Sequence, residues 1–276
     1  MRTDPSDILR AIVELRPFPA VATRVMRMVN DDRTSAQELA QVLSADQAMT
    51  SKLLKLSNSA EAGYFRRVCS VREAVVVLGF KQVRQIAFVT SVISNFRLQR
   101  NTREWFDVEQ FWLHNIEVAI AAETVARKQN TATPDAAFTT GVLHDIGRLV
   151  LAQALPAESR EAHRLHTKCG VPLIEAELRT TGHTHDGIGG ALAREWKFPA
   201  EIATAIDQHH STEATRPTGL PSIITLCDRL ARYHDESQDP LPDDLHEVDE
   251  LCGGWPDVVS RSLAFIQSIE HGTRAA

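Results

Sequence analysis

Apolar positions recur along this chain at steps of three and four residues, and strict alternation is rare. That periodicity predicts an all-α protein. The apolar stripes place helices near residues 6–15, 19–30, 36–43, 45–58, 71–78, 81–98, 108–128, 134–154, 157–169, 172–180, 186–196, 200–210, 220–234 and 256–270. Helix starts carry side chains able to accept the backbone N–H groups that a first turn leaves free. Ser35 with Glu38, Ser44 with Gln47 and Ser70 with Glu73 fit capping boxes, Asp107 with Gln110 resembles one, and Thr133 precedes a first-turn Pro134. Gly79 and Gly170 mark stops, and Pro156 closes the segment before it.

Three stretches read as connections. Asn95 to Phe106 is polar and arginine-rich, Ser211 to Pro221 is rich in Thr, Pro and Gly, and His234 to Asp244 is acidic with Pro240 and Pro242, so it is expected to loop out. They divide the chain into a helical lobe over 1–100, a second over 105–235, and a loop with a terminal helix over 236–276. Leu251, Trp255, Val258, Val259, Leu263, Phe265 and Ile266 suggest that the last helix packs back on the bundle, with a homodimer contact as the alternative.

Composition narrows the classes. A chain of 276 residues, 43% hydrophobic and 24% charged, can bury a core without disulfides or a structural metal. Cys69, Cys169, Cys227 and Cys252 have no metal-finger spacing and read as reduced thiols, mostly in or near cores. The net charge of −6 disfavours nucleic acid as a partner, because duplex binding needs a basic surface. Arg66, Arg67, Arg72, Lys81 and Arg84 are where a local basic patch would be sought, but a solvated helix face is the favoured reading; the helix–Gly–helix run from Val71 to Arg84 could suggest a helix-turn-helix, with bundle packing favoured. No run approaches the length of a bilayer span and no leader stands at the N-terminus, so no membrane partner and a cytoplasmic location are expected.

The candidate chemistry lies after residue 110, where histidines and carboxylates sit inside apolar segments: His114, His144 with Asp145, His185, His209 with His210, and Asp228. Ionisable groups in an apolar helix need partners, since desolvation is otherwise costly. A divalent metal is one such partner, and imidazole with carboxylate suits Fe, Mn, Ni, Zn or Co. Taken singly, each has a plainer reading. His114 alone is a hydrogen-bonded core histidine, His209 and His210 a solvated helix end, and Asp228 a partner of Arg229 or Arg232. His163 and His166 read as surface, and His183 as a loop residue outside the site. What favours the metal reading is the ordered set.

That order resembles the HD superfamily of metal-dependent phosphohydrolases, with its first His, His-Asp pair and distant Asp. The matching positions are His114, His144, Asp145 and Asp228, and His185, His209 and His210 fall where the binuclear HD-GYP kind adds ligands. Closer still is the resemblance to the HDOD family, over about residues 15–235. It rests on Leu15-Arg16-Pro17-Phe18-Pro19-Ala20, Ser44-Ala45-Asp46-Gln47-Ala48-Met49-Thr50, Leu56-Ser57-Asn58-Ser59-Ala60, and Ala74 to Gly79 followed by Val83-Arg84. In the second half it rests on Phe111-Trp112-Leu113-His114, Gly141 to Leu149, and Trp196-Lys197-Phe198-Pro199.

The resemblance implies an all-α HDOD/HD-type bundle, an N-terminal helical lobe packed on an HD-like C-terminal lobe. It implies a mono- or binuclear site for Fe, Mn, Ni, Zn or Mg, held by His114, His144, Asp145, His185, His209, His210 and Asp228. Asp145 and Arg148 are the catalytic candidates. Arg148 stands where HD-GYP enzymes carry a phosphate-contacting Lys, Gln110 stands where they carry a Glu ligand, and their Asp-Gly-x-Gly-Tyr-Pro loop is missing. Cleavage of cyclic di-GMP is therefore disfavoured. The implied function is a signalling or regulatory module working through a protein partner or a nucleotide-like ligand. The alternative is a metal-dependent phosphohydrolase of a phosphoester such as a nucleotide or cyclic dinucleotide.

Overall fold

The structure, a computed structural model, describes residues 18–29, 35–58, 67–96, 98–210, 213–237 and 239–270. The expected helix over 6–15, most of the Pro-rich opening, Ser59-Ala60 and Arg66 lie outside them. Every regular element among the described residues is a helix, and they contain no strand. The described residues form two compact units, one within 18–96 together with 263–270 and the other within 98–262.

The first unit carries α1 (Ala20–Val29), α2 (Ala36–Ser44), α3 (Gln47–Ser57), α4 (Val71–Leu78) and α5 (Phe80–Asn95). Ser35 and Glu38 form the expected capping box on α2. On α3 the cap is Asp46, which accepts from Met49 N at 3.0 Å, while Ser44 turns back to the Ala40 carbonyl. The Ser44–Gln47 box is thereby corrected: Asp46, one residue before the helix, has the better reach. Ser70 caps α4, and Glu73 reaches the Cys69 N–H. Between α4 and α5 the chain bends by 113° at Gly79, whose φ of 88° favours a residue without Cβ. α1 and α5 pack together, and α2 and α3 pack on α4, around Leu39, Leu43, Leu53, Val83 and Ile86. Arg84 is not on a solvated face; it is buried and its guanidinium lies 5.7 Å from the Phe80 ring centroid. Asn58 clasps Val68, donating to its carbonyl and accepting from its amide, each at 2.8 Å.

The second unit carries α6 (Val108–Gln129), α7 (Pro134–Leu143), α8 (Ile146–Ala154), α9 (Pro156–Cys169), α10 (Leu173–Thr180), α11 (His185–Glu195), α12 (Ala200–Gln208), α13 (Leu220–Glu236), α14 (Asp243–Cys252) and the first part of α15 (Trp255–Glu270). Asp107 caps α6 and Thr133 caps α7 as expected. Pro156 opens α9 rather than closing what precedes it. Two expectations fail here: the single helix over 134–154 is two helices that break at His144-Asp145, and α14 occupies residues 243–252, where no helix is expected; the connection expected over His234 to Asp244 does lie between α13 and α14. Pro242 sits just before α14, Asp243 and Asp244 fill its first turn, and Leu245, Val248 and Cys252 bury one face.

α6 is the axis of this unit, buried almost continuously from Phe111 to Ala126. α7, α13 and α14 lie against it. α7 approaches so closely that a Cβ on Gly141 would fall 2.4 Å from the Ala119 Cα. At Gly147 on α8 a Cβ would fall 1.9 Å from the His185 carbonyl oxygen. Trp255 is buried and stacks on His234 with rings parallel and centroids 5.4 Å apart, so α15 begins by packing back on α13. Of the thiols, Cys227 and Cys252 are buried and Cys69 and Cys169 exposed, all four free. No single described helix is long and apolar enough to cross a membrane; α4 and α5 pass that test only as a bent pair.

Candidate metal centre

The helix break at residues 144–145 is the starting point. Asp145 stands in the N-cap position of α8 but makes no capping bond. Its carboxylate turns inward instead. Oδ1 lies 3.1 Å from His185 Nε2, 3.5 Å from His209 Nε2 and 3.7 Å from His144 Nε2, while Oδ2 accepts from Arg148 at 2.8 Å. Asp228, on α13, repeats the division of labour. Its Oδ1 lies 3.2 Å from His114 Nε2 and 3.6 Å from His144 Nε2, and its Oδ2 accepts from Arg232 at 2.6 Å. Each carboxylate thus turns one oxygen to the imidazoles and the other to a guanidinium.

The histidines are aimed by their other nitrogens. His144 Nδ1 donates to the Gly141 carbonyl at 2.8 Å and His209 Nδ1 to the Ile206 carbonyl at 2.7 Å. With Nδ1 protonated, Nε2 is a bare lone pair in the neutral ring. Both Nε2 atoms are fully buried and have no hydrogen-bond partner, and both face carboxylate oxygens, which are acceptors too. Acceptor against acceptor in a dry interior is costly unless a cation lies between them. His185 is aimed by Glu177, whose Oε2 takes its Nδ1–H at 2.7 Å and its backbone N–H at 2.9 Å. A carboxylate behind an imidazole is a frequent outer partner of metal-bound histidine. His185 Nε2 is 2.9 Å from His210 Nε2, a distance that needs a shared proton or a cation.

The electrostatics divide the cluster: burial pushes His144 down, but Asp145, Asp228 and the Gly141 carbonyl outweigh it and raise the ring, favouring a proton there when no cation is bound. Burial pushes the Asp145 carboxyl up, but His144, Arg148 and His185 outweigh it and hold the group well below the usual carboxylate range. Burial acts likewise on Asp228, outweighed by Arg232, His114 and His144. Burial pushes His185 down, and Glu177 with Asp145 overturn this and lift it to about 10. His209 and His210 are pushed down by burial and by neighbouring imidazoles, so they stay neutral.

All seven sequence-predicted ligands converge. Asp145, His185, His209 and His210 form one set; His114, His144 and Asp145 a second; His144, His209 and Asp228 a third, each with donor atoms within 4.8 Å of one another. Shared Asp145 and His144 give the sets the form of one continuous or two adjoining cation positions. Nitrogen-rich, carboxylate-bearing and closed behind by backbone carbonyls and Glu177, this donor set fits a divalent transition metal. Arg148 is on the rim, its guanidinium 5.7 Å from the Phe106 and Phe111 ring centroids. Gln110 is exposed and lines the cavity beside the cluster.

That cavity has a volume of about 480 Å³ and is floored by His114, Asp145, His185, His210 and Asp228. It also corrects the reading of His163 and His166 as surface: both are half-buried in its wall, because the break after Ala154 turns α9 back toward the site. Glu177 is what sequence reading missed, whereas the pairing of Asp228 with Arg232 is as that reading had it. Glu177 is buried on a short helix between Glu175 and Arg179, and nothing in that local pattern sets it apart. Arg232 lies four residues after Asp228, a helical ion-pair spacing.

The fold and cluster define a helical protein built around a buried His/Asp centre. The chain belongs to the HDOD domain family, whose domain matches residues 15–212. The match stops before α13, so Asp228 and Arg232 lie outside it. Among solved structures, a candidate phosphohydrolase from Shewanella amazonensis is 25% identical with a TM-score of 0.69, over 98% of both chains. An HDOD domain protein of unknown function from Geobacter sulfurreducens shares the fold at 22% identity and a TM-score of 0.68, over 95% of both. A candidate signal transduction protein from Marinobacter aquaeolei shares it at 21% identity and a TM-score of 0.76, over 96% of this chain and 61% of that one. An uncharacterised protein of Treponema pallidum is 25% identical over 229 residues, and the chain spans only 42% of its length.

Proposed function

We propose that this chain is a regulatory HDOD module whose His/Asp cluster holds one or two divalent cations and whose adjoining cavity takes a small ligand. The observation that carries the reading is the pair of buried, unpartnered Nε2 atoms on His144 and His209. A proton can satisfy His144 Nε2 against its carboxylates, but burial pushes His209 down, so its Nε2 lone pair is left for a cation. In such a site His114, His144, His185, His209, His210, Asp145 and Asp228 are the ligands. Kinship with an HDOD protein and with a candidate signal transduction protein supports the regulatory half of the reading.

The second reading, a metal-dependent phosphohydrolase, draws on one specific observation: the cluster floors an open cavity instead of being sealed, with Arg148 and Arg232 at its edge. A divalent cation there would polarise a phosphoryl oxygen and lower the pKa of a bound water. Arg148 would grip phosphate, and Asp145 would hold its ring of imidazoles in register.

One preparation separates the outcomes. Protein purified without added metal is analysed for Fe, Mn, Ni, Zn and Mg, then assayed with p-nitrophenyl phosphate and bis(p-nitrophenyl) phosphate. One or two equivalents of metal without turnover supports the regulatory module. Metal with turnover that Asp145→Ala abolishes supports the hydrolase. A folded protein that takes up no metal at any ratio refutes both.

A further inference from the structure

One wall of the 480 Å³ cavity continues onto the protein surface. Pro172, Leu173 and Ile174, where α10 opens, line its mouth. Leu178 stands four residues after Ile174, on the same face of α10. It is 49% exposed, whereas Ala176 and Glu177 are buried. The large apolar side chains exposed among the described residues are Val76, Leu178 and Leu263, and of these Leu178 is the one whose helix lines this cavity. The charges beside it, Glu175 and Arg179, pair with each other along the helix.

The charges at and behind the cavity do not balance. On the floor Arg148 pairs with Asp145, Arg232 with Asp228 and His185 with Glu177. Asp107, Asp235 and Glu236 also line the cavity and are exposed at its mouth. Among the described residues no cationic side chain forms an ion pair with Asp107 or Glu236, and Asp235 has only His114 Nδ1, at 4.0 Å. Burial pushes the Asp235 carboxyl up, His114 and His234 pull it down, and adjacent Glu236 pushes it up again. His163 in the wall is pushed down by burial and by Arg148, so it stays neutral. Near pH 8, where an ordinary imidazole is neutral, six carboxylates therefore stand against four cations: the two arginines and protonated His144 and His185. One divalent cation in place of those two protons leaves the count at four. A second balances the whole and leaves the three acids at the mouth as they were.

We propose that the cavity mouth and the Ile174–Leu178 face form a docking site for a segment of a partner protein that carries a lysine or arginine next to an apolar side chain. The inference rests on the regulatory reading above and names the chemistry of its protein partner. The apolar neighbour covers Leu178 and Ile174, and the area removed from water holds the segment. The cation meets the carboxylates at the mouth, which set the sign of the charge accepted and speed the encounter. A free amine lacks the apolar group that Leu178 would cover, and an anionic membrane or nucleic acid would be repelled by the three acids.

The test is an array of decapeptides probed at pH 8 with the full chain as purified, its metal content measured in parallel. The centre of each peptide is Arg, Lys, Gln or Glu, and the flanking positions are Leu or Ser in all combinations. Arg or Lys beside Leu should bind most strongly. In calorimetry the best of them should bind at least about tenfold more tightly than the same peptide centred on Glu, and salt raised from about 0.05 M to about 0.5 M should narrow that gap. Glu236→Lys, at an exposed helix end, should remove most of the preference for Arg over Glu. Leu178→Ser should cut the preference for Leu over Ser by about threefold or more, and both variants should keep the native metal content. Agmatine binding as tightly as the best peptide, a preference for Glu at the centre, variants that rank the peptides as the native chain does, or no peptide bound at about 1 mM overturns the docking site. Should either variant fail to fold, the ranking on the native chain decides. Peptides refused by a chain that holds metal sink the docking site alone; peptides bound by a chain that takes up no metal sink the metal site alone.

Discussion

The two units bury ionisable groups in opposite ways. The first unit places Lys52 in its core at 3% exposure, with Thr90 Oγ1 as its partner at 3.2 Å. Burial there pushes the ammonium down to about 8. The second unit buries His144, Asp145, His185, His209 and Asp228 side by side, and their mutual fields keep both carboxyls ionised. A solitary buried charge escapes its cost by giving up its proton. A cluster cannot, because neutralising one member strands the next. The lone lysine is a local matter of stability; the cluster is a binding site in waiting.

Four experiments break or sharpen that contrast. The largest effect is expected from Gly147→Ala, whose Cβ would collide with the His185 carbonyl. The loss should be about 3 kcal/mol or more in chemical denaturation, accompanied by loss of bound metal, since α8 and α11 must part. Next is Glu177→Gln, which removes the acceptor behind His185. Metal affinity in a competitive chelator titration should drop by about 10- to 100-fold with the fold retained.

Smaller effects belong to buried groups outside the cluster. Burial, with help from Asp235, lifts Glu117 to about 7, and its Oε2 has no partner. Because the folded chain holds this proton more tightly than the unfolded chain, stability falls as pH rises from about 4.5 through about 7. Glu117→Gln should therefore stabilise by about 1 kcal/mol at pH 8, with the gain fading as pH drops toward 4.5. Least of all, Lys52→Met should stabilise the first unit by about 1 kcal/mol near pH 7. Its folded pKa is depressed, so the native chain itself gains stability between about 8 and 10.5, and the advantage of Met should vanish across that window in denaturation at stepped pH. A Lys52→Met protein less stable at pH 7 would mean that the Thr90 bond outweighs desolvation.

Much of this architecture was readable from residues alone, and the failures have physical causes. The caps at Ser35, Ser70, Asp107 and Thr133 are local chemistry, complete within four residues, and sequence shows them directly. Convergence of His114, His144, Asp145 and Asp228 in space follows the order of a known motif. Glu177 was invisible because its importance lies in meeting His185 across a turn, a contact without periodicity. The break at His144-Asp145 was hidden because both halves are strongly apolar, and only contact with α6 and α11 separates them. α14 was lost to the prolines before it, which read as loop punctuation although Pro242 adjoins a helix start. Arg84 went astray because a guanidinium can lie along an aromatic face under cover of its own stem.

The Nδ1 bonds of His144 and His209 carry one more consequence. Each ring is registered by the carbonyl three residues earlier, at the trailing edge of its own helix, and not by a neighbouring side chain. No substitution elsewhere in the cluster can swap which nitrogen is bare. The aim of these two imidazoles is thus set by the way α7 and α12 end.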